Sequence, residues 1–214
     1  MRLRNVKNKK EIIDRATFLV RDEESKKGKW NIEFGNSNPI YIEIGMGKGR
    51  FIIENAKKYP NINFIGIEKY DSVIARAIEK CESAKDEGDS LENLRFIRMD
   101  ALKIEEVFYK EVSRIFLNFS DPWPKKRQAK RRLTSEVFLK KYDSIFKEGK
   151  EIVQKTDNQN LFEYSLESLS KYGYSFEKVS LDLHNSEVLD NILTEYESRF
   201  VEQNKIIYYL VAKK

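Results

Sequence analysis

The chain has 214 residues, and 40 Lys+Arg against 35 Asp+Glu give it a formal charge of +5. One cysteine, Cys81, and one histidine, His184, exclude an internal disulfide, a multi-cysteine zinc or iron–sulfur site and a multi-histidine centre, so no metal is expected. With 40% apolar and 12% aromatic residues the composition is that of a folded chain, long enough for one well-buried domain spanning 1–214. No apolar run approaches the ~18 residues of a membrane span. The basic start MRLRNVKNKKEI has no apolar core behind it, so it does not read as a secretory signal. These features predict a cytoplasmic protein with no membrane partner.

In chain order, residues 1–20 read as a basic N-terminal extension. Ile40–Ile44 (IYIEI) is a β-branched run ending at glycines, and Arg50–Tyr59 has helical spacing. Phe64–Ile67 is a second strand, followed by Val73, Ile74, Ala77, Ile78 and Cys81, the apolar stripe of a helix. Residues 88–93 (GDSLEN) read as a loop. Leu94–Met99 and Ile115–Phe119 are strands three and four. A helix is predicted over Thr134–Lys147, closed by Gly149, and a fifth strand over Glu151–Lys155. Asn158–Tyr172 is helical again, and Val179–Leu183 and Ile206–Ala212 are the last two strands. Strand–helix alternation with short connections implies an α/β, doubly wound sheet of about seven strands, mostly parallel with an antiparallel edge. Ligands of such sheets bind beyond the carboxyl ends of the strands, where strand order reverses.

The suggestive residues collect at those ends. Strand one runs into Glu43-Ile-Gly45-Met-Gly47-Lys-Gly49, in which the glycines allow positive φ and close approach of a ligand. The G-x-G-x-G spacing is neither the dinucleotide fingerprint nor a P-loop. Glu43 would repel a pyrophosphate and suits a ligand carrying an ammonium or sulfonium group. Glu68 ends strand two, placed to accept ribose hydroxyls, and Asp100 ends strand three, placed to accept from an adenine amine. Each acid alone reads equally well as a helix N-cap. Together with the glycine loop they describe an adenosine ligand with a cationic tail, S-adenosyl-L-methionine.

Strand four ends Asn118-Phe-Ser-Asp121-Pro-Trp-Pro124, where two prolines stiffen the path, and then enters Lys125–Arg132, KKRQAKRR. That octet carries six positive charges; removing them from +5 leaves the rest of the chain at −1. A basic cluster on an otherwise acidic chain points to a polyanionic partner. Trp123 stacks on a base or packs the loop.

The sequence resembles the bacterial tRNA (guanine-N7)-methyltransferase family. The resemblance rests on EIGMGKG at 43–49, GIE at 66–68, LNFSDPWPKKR at 117–127, KRRL at 130–133, KTDN at 155–158 and TEYE at 194–197. It implies a Rossmann-like class I S-adenosylmethionine-dependent methyltransferase fold. It also implies methyl transfer to N7 of a guanine in the tRNA variable loop. On the same basis Glu43, Gly45, Gly47, Gly49, Glu68, Asp100 and Asp121 look like cofactor contacts, with Asp121 also catalytic. Lys125, Asp157, Thr194, Glu195, Tyr196 and Glu197 look like substrate contacts. The residues alone read Asp157 equally as the N-cap of the next helix, and Thr194–Glu197 as a polar loop. Both a monomer and a homodimer remain open. Three rivals differ in sequence terms. An exocyclic-amine methyltransferase has a different proline–aromatic order after the acid, a dinucleotide oxidoreductase has a different glycine spacing, and a non-catalytic RNA-binding relative would not need the complete acid set.

Overall fold

A computed structural model describes residues 8–188, 191–203 and 205–214. Its first half runs α1 (Lys9–Arg15), β1 (Leu19–Val20), α2 (Trp30–Phe34), β2 (Ile40–Ile44), α3 (Arg50–Lys58), β3 (Asn63–Glu68), α4 (Asp71–Asp86), β4 (Leu94–Arg98) and α5 (Ile104–Val107). The second half runs β5 (Val112–Asn118), α6 (Glu136–Ile145), β6 (Phe146–Thr156), α7 (Gln159–Lys171), β7 (Ser175–Ser180), α8 (Glu195–Glu202) and β8 (Tyr208–Lys213). The strands form one sheet in the order β1-β4-β3-β2-β5-β6-β8-β7. The first six are mutually parallel; β8 runs antiparallel to both β6 and β7. Strand order reverses between β2 and β5, which puts the switch point at the ends of Ile44 and Asn118.

Period-two alternation separates two cores. Ile42, Ile65, Ile97 and Ile115 face one layer with Trp30, Phe108, Tyr142 and Phe162. Phe64, Phe96 and Phe116 face the other, against Phe51, Ile74, Ile78 and Cys81. The stripe on α4 is buried along its length, and burial pushes the Cys81 thiol up to about 12.

The sheet has eight strands rather than about seven. The additional one lies inside the basic N-terminal segment, where Phe18, Leu19 and Val20 are buried and Leu19 is in register with Phe96. Their apolar side chains complete the sheet edge, and Ile12 of α1 joins the core above α4. Residues 1–7 lie outside the described residues.

Other elements shift. The strand expected at Val179–Leu183 is Ser175–Ser180, because pairing with β8 runs from Ser175 opposite Lys213 to Ser180 opposite Tyr209. Leu181 is left 65% exposed beyond its end. β6 begins at Phe146, before the glycine expected only to end a helix, with a register shift on β5 between Val112 and Arg114 absorbing the irregularity. Thr194–Glu197, which the residues alone read as a polar loop, instead opens the helix Glu195–Glu202, and no helix among the described residues is long and apolar enough to cross a membrane.

Candidate active site

The glycine loop is hooked onto β3. The backbone N–H groups of Gly45 and Met46 both donate to the carbonyl of Ile67, at 2.8 and 3.1 Å. Gly45, Gly47 and Gly49 all have left-handed φ, of 78°, 58° and 79°. Gly49 is also sterically required: a Cβ there would lie 2.9 Å from Ala77 Cβ, which brings α3 and α4 close together.

Glu43 is 2% exposed. Asn118 Nδ2 donates to its Oε1 at 2.8 Å, and Oε2 has no hydrogen-bond partner among the described residues. Burial, with Glu195 and Glu68 nearby, pushes the Glu43 carboxyl up to about 8, against the opposing pull of Asn118 and Lys155. Glu68 accepts from the N–H groups of Gly47, Lys69 and Tyr70, at 3.2, 2.7 and 3.2 Å, and burial still raises its pKa. Asp100 takes Lys69 Nζ at 2.7 Å, which lowers its pKa, and its other oxygen accepts from Leu102 N–H at 3.0 Å. Asp100 is thus a cap and an open carboxylate at once.

Gly45, Glu68, Asp100 and Asp121 line one cleft of about 710 Å³, with apolar walls from Leu102, Val137 and Phe138. Glu43, Gly45 and Gly47 line a smaller hollow of about 80 Å³ together with Asn118, Phe119, Thr194, Glu195 and Tyr196. The two share Gly45, so all four predicted acids converge on the switch point from β2, β3, β4 and β5.

The loop after β5 holds Asp121 between two non-glycine residues in the left-handed region, Phe119 at φ 51° and Trp123 at φ 42°. Asp121 is exposed to the cleft, and Arg131 lies 4.8 Å from the centroid of the Trp123 ring. The octet is therefore not uniform. Lys125, Lys126, Arg127 and Lys130 are exposed, whereas Arg132 is half-buried and turned inward.

The Thr194–Glu197 turn is a capping box. Glu197 N–H donates to Thr194 Oγ1 at 3.0 Å, and Thr194 N–H donates to Glu197 Oε2 at 3.3 Å. Glu197 is fully buried and pairs with Lys155 Nζ at 3.0 Å; Asn191 Nδ2 donates to it at 2.6 Å, and His184 Nε2 lies 3.4 Å away. Lys155 also donates to the carbonyl of Ile192 at 2.9 Å; burial lowers its pKa and Glu197 opposes that. The four residues thus divide. Thr194 and Glu197 build the turn, while Glu195, salt-bridged to Lys80, and Tyr196, 41% exposed and stacked on Phe119 at 6.2 Å, face outward beside the glycine loop.

Asp157 and Lys125 are exposed and line neither hollow. Asp157 is not the N-cap of α7; Asn158 is, accepting from Leu161 N–H at 2.8 Å. Sequence reasoning missed Asn118 and gave no role to Lys155. Asn118 is the polar end of an otherwise apolar run, IFLN, and Lys155 is a cation at the end of the strand EIVQK; those positions are the signal by which each was findable.

A family model described as "Putative methyltransferase" matches residues 37–210. A tRNA (guanine-N(7)-)-methyltransferase of Lachnoclostridium phytofermentans is 53% identical, covering 99% of this chain and 98% of its own. One of Bacillus subtilis is 48% identical, covering 92% of this chain and 91% of its own. Among solved structures, the 16S rRNA methyltransferase KamB matches with a TM-score of 0.66 at 12% identity over 87% of this chain and 92% of that one. An antibiotic-related methyltransferase matches at 0.64 and 19% identity, covering 86% and 92%. These two likenesses report the fold, a class I methyltransferase sheet with an antiparallel edge. The sequence identities, sustained over almost the whole length, decide the family: the chain belongs to the tRNA (guanine-N(7)-)-methyltransferases.

Proposed function

We propose that this enzyme transfers the methyl group of S-adenosyl-L-methionine to N7 of a guanine in the variable loop of tRNA, forming 7-methylguanosine in the cytoplasm. The observation that carries the donor assignment is Glu43: a buried carboxyl group, one oxygen of which has no hydrogen-bond partner among the described residues, beside three left-handed glycines. A cation seated there offsets the cost of the buried charge, and a pyrophosphate would raise it. Glu68 and Asp100 offer acceptors for the ribose and adenine, and Leu102 and Val137 supply apolar wall. These residues fit the donor, whose bound sulfonium would supply an electrophilic methyl group.

Guanine N7 has a lone pair and no proton, so the protein needs no general base. Its work is positioning and electrostatics. Asp121, exposed to the cleft between two fixed left-handed residues, orients the base and stabilises the positive charge that develops on it. Glu195, paired with Lys80 but partly exposed in the hollow beside the glycine loop, is the acid placed for guanine's N1 and N2 donors, because Glu197 is fully buried and held by Lys155 and the capping box. Lys125, Lys126, Arg127 and Lys130 present charge to the RNA backbone, and Asp157 flanks the same sheet edge.

Incubating the protein with an unmodified tRNA transcript and S-adenosylmethionine, then digesting the RNA for mass spectrometry, tests this reading. 7-Methylguanosine is expected, lost in Asp121→Ala while donor affinity stays within a few-fold. Methylation of an exocyclic amine, or none, would overturn the reaction; matching loss of donor binding in Asp121→Ala would remove that residue's catalytic role.

A further inference from the structure

Arg132 belongs by sequence to the basic octet, but its guanidinium points into the protein. Nε donates to the carbonyl of Pro122 at 3.0 Å, and a terminal nitrogen donates to the carbonyl of Trp123 at 3.1 Å. The same group lies 4.2 Å from the centroid of the Tyr164 ring, on α7. The segment it holds is short of other anchors. Pro122 and Pro124 have no N–H, and among the described residues the backbone of 120–124 makes no hydrogen bond to other backbone. Trp123 nevertheless sits at φ 42°, a conformation a bulky residue keeps only when its surroundings impose it. A rigid fork that reaches two successive carbonyls does this; a lysine, with one flexible nitrogen, does not reproduce it.

We infer that Arg132 is a positioning residue for methyl transfer: it clamps the Asp121–Trp123 segment onto α7 so that Asp121 is held at the reacting base, and it is not a phosphate contact. This rests on the role proposed above for Asp121. The clamp makes two demands that a surface cation would not. Charge without the fork should fail, and loss of the charge should leave the electrostatics of RNA binding alone.

The test compares Arg132→Lys and Arg132→Ala with Lys126→Ala, using full-length protein. In Arg132→Lys, kcat at saturating tRNA should fall about 10²-fold, the scale of a 1 Å misplacement, with the Kd for S-adenosylmethionine within threefold. Acrylamide quenching of tryptophan emission should rise, because Trp30 is fully buried and Trp123 reports the loop. The slope of log Kd for tRNA against log salt should be unchanged in Arg132→Ala, while Lys126→Ala should reduce it by about 0.7–0.9, one phosphate contact. Full kcat and unchanged quenching in Arg132→Lys, or a reduced salt slope in Arg132→Ala, would overturn the clamp. If Arg132→Ala does not fold, Arg132→Lys still decides through kcat and quenching. Quenching does not depend on the reaction, so it separates failure of the clamp from failure of the proposed methylation.

Discussion

Replacing Glu43 by Gln should shift the stability of the protein without its methyl donor in the variant's favour as pH rises. The folded-state carboxyl titrates at about 8, against 4.5 in the unfolded chain. A raised carboxyl pKa contributes stability that is complete below pH 4.5 and is lost as pH climbs through 8. The Glu43→Gln protein has no such titration. Its advantage over the wild type should therefore widen by about 1.4 kcal/mol per pH unit between 5 and 8, then level off near 5 kcal/mol, an order-of-magnitude ceiling. The new amide keeps an acceptor for Asn118 but leaves a nitrogen where Oε2 stands unpartnered, a constant cost of about 1–3 kcal/mol that offsets the curve without changing its slope. Urea unfolding of both proteins at pH 5, 6, 7, 8 and 9 reads the difference directly; in melting temperature each kcal/mol is about 2–4 °C for a chain of this size. A difference that stays flat over this range would mean that Glu43 is already ionised in the folded protein at pH 5, and would refute the account of its burial. Glu43→Gln should at the same time weaken binding of S-adenosylmethionine, since stability and ligand binding make opposite demands on this position.

Two further expectations rest on the same geometry. Lys155→Met should lower stability by about 3–5 kcal/mol by leaving the buried Glu197 without its lysine, and Lys155→Met with Glu197→Gln should recover much of that. Chemical denaturation of the single and double variants checks it, and a double variant as unstable as the single would discount the ion pair. Gly49→Ala should cost more stability and more donor affinity than Gly47→Ala. Both positions have left-handed φ, strain worth about 1–3 kcal/mol, but only at position 49 does the new methyl meet Ala77, at 2.9 Å. Equal losses, measured by thermal unfolding and donor titration, would show that α3 moves to accommodate it.

Five of the six parallel strands and the acids at or near their ends are legible because both obey local rules: apolar runs of strand length, glycines where the backbone turns left-handed, carboxylates close to where each strand stops. What escaped depends on contacts between remote segments. TEYE carries a capping box that local spacing could have revealed, yet the absence of a following apolar run hid the helix. That Glu197 is spent on Lys155, 42 residues away, could be seen only in three dimensions. The octet is the sharper case. Six cations in eight residues look alike in composition, and only the path of the backbone separates the exposed ones from Arg132. Leu19–Val20 was hidden by length, since two residues are too few to show alternation.

The order of the last two strands bears on how the chain is assembled. β8 follows β7 in the chain but lies between β6 and β7 in the sheet. Until residues 208–213 have been synthesised, β7 has no strand to join and the outer edge of β6 stays unpaired. The parallel half can collapse early, while the antiparallel half closes only with the final segment, a long-range step of the slow kind. β6 also carries Lys155, which anchors the turn beside the glycine loop. A nascent chain stalled before residue 208 would therefore expose a hydrogen-bonding edge on the strand that carries Lys155, the state most open to aggregation or chaperone capture.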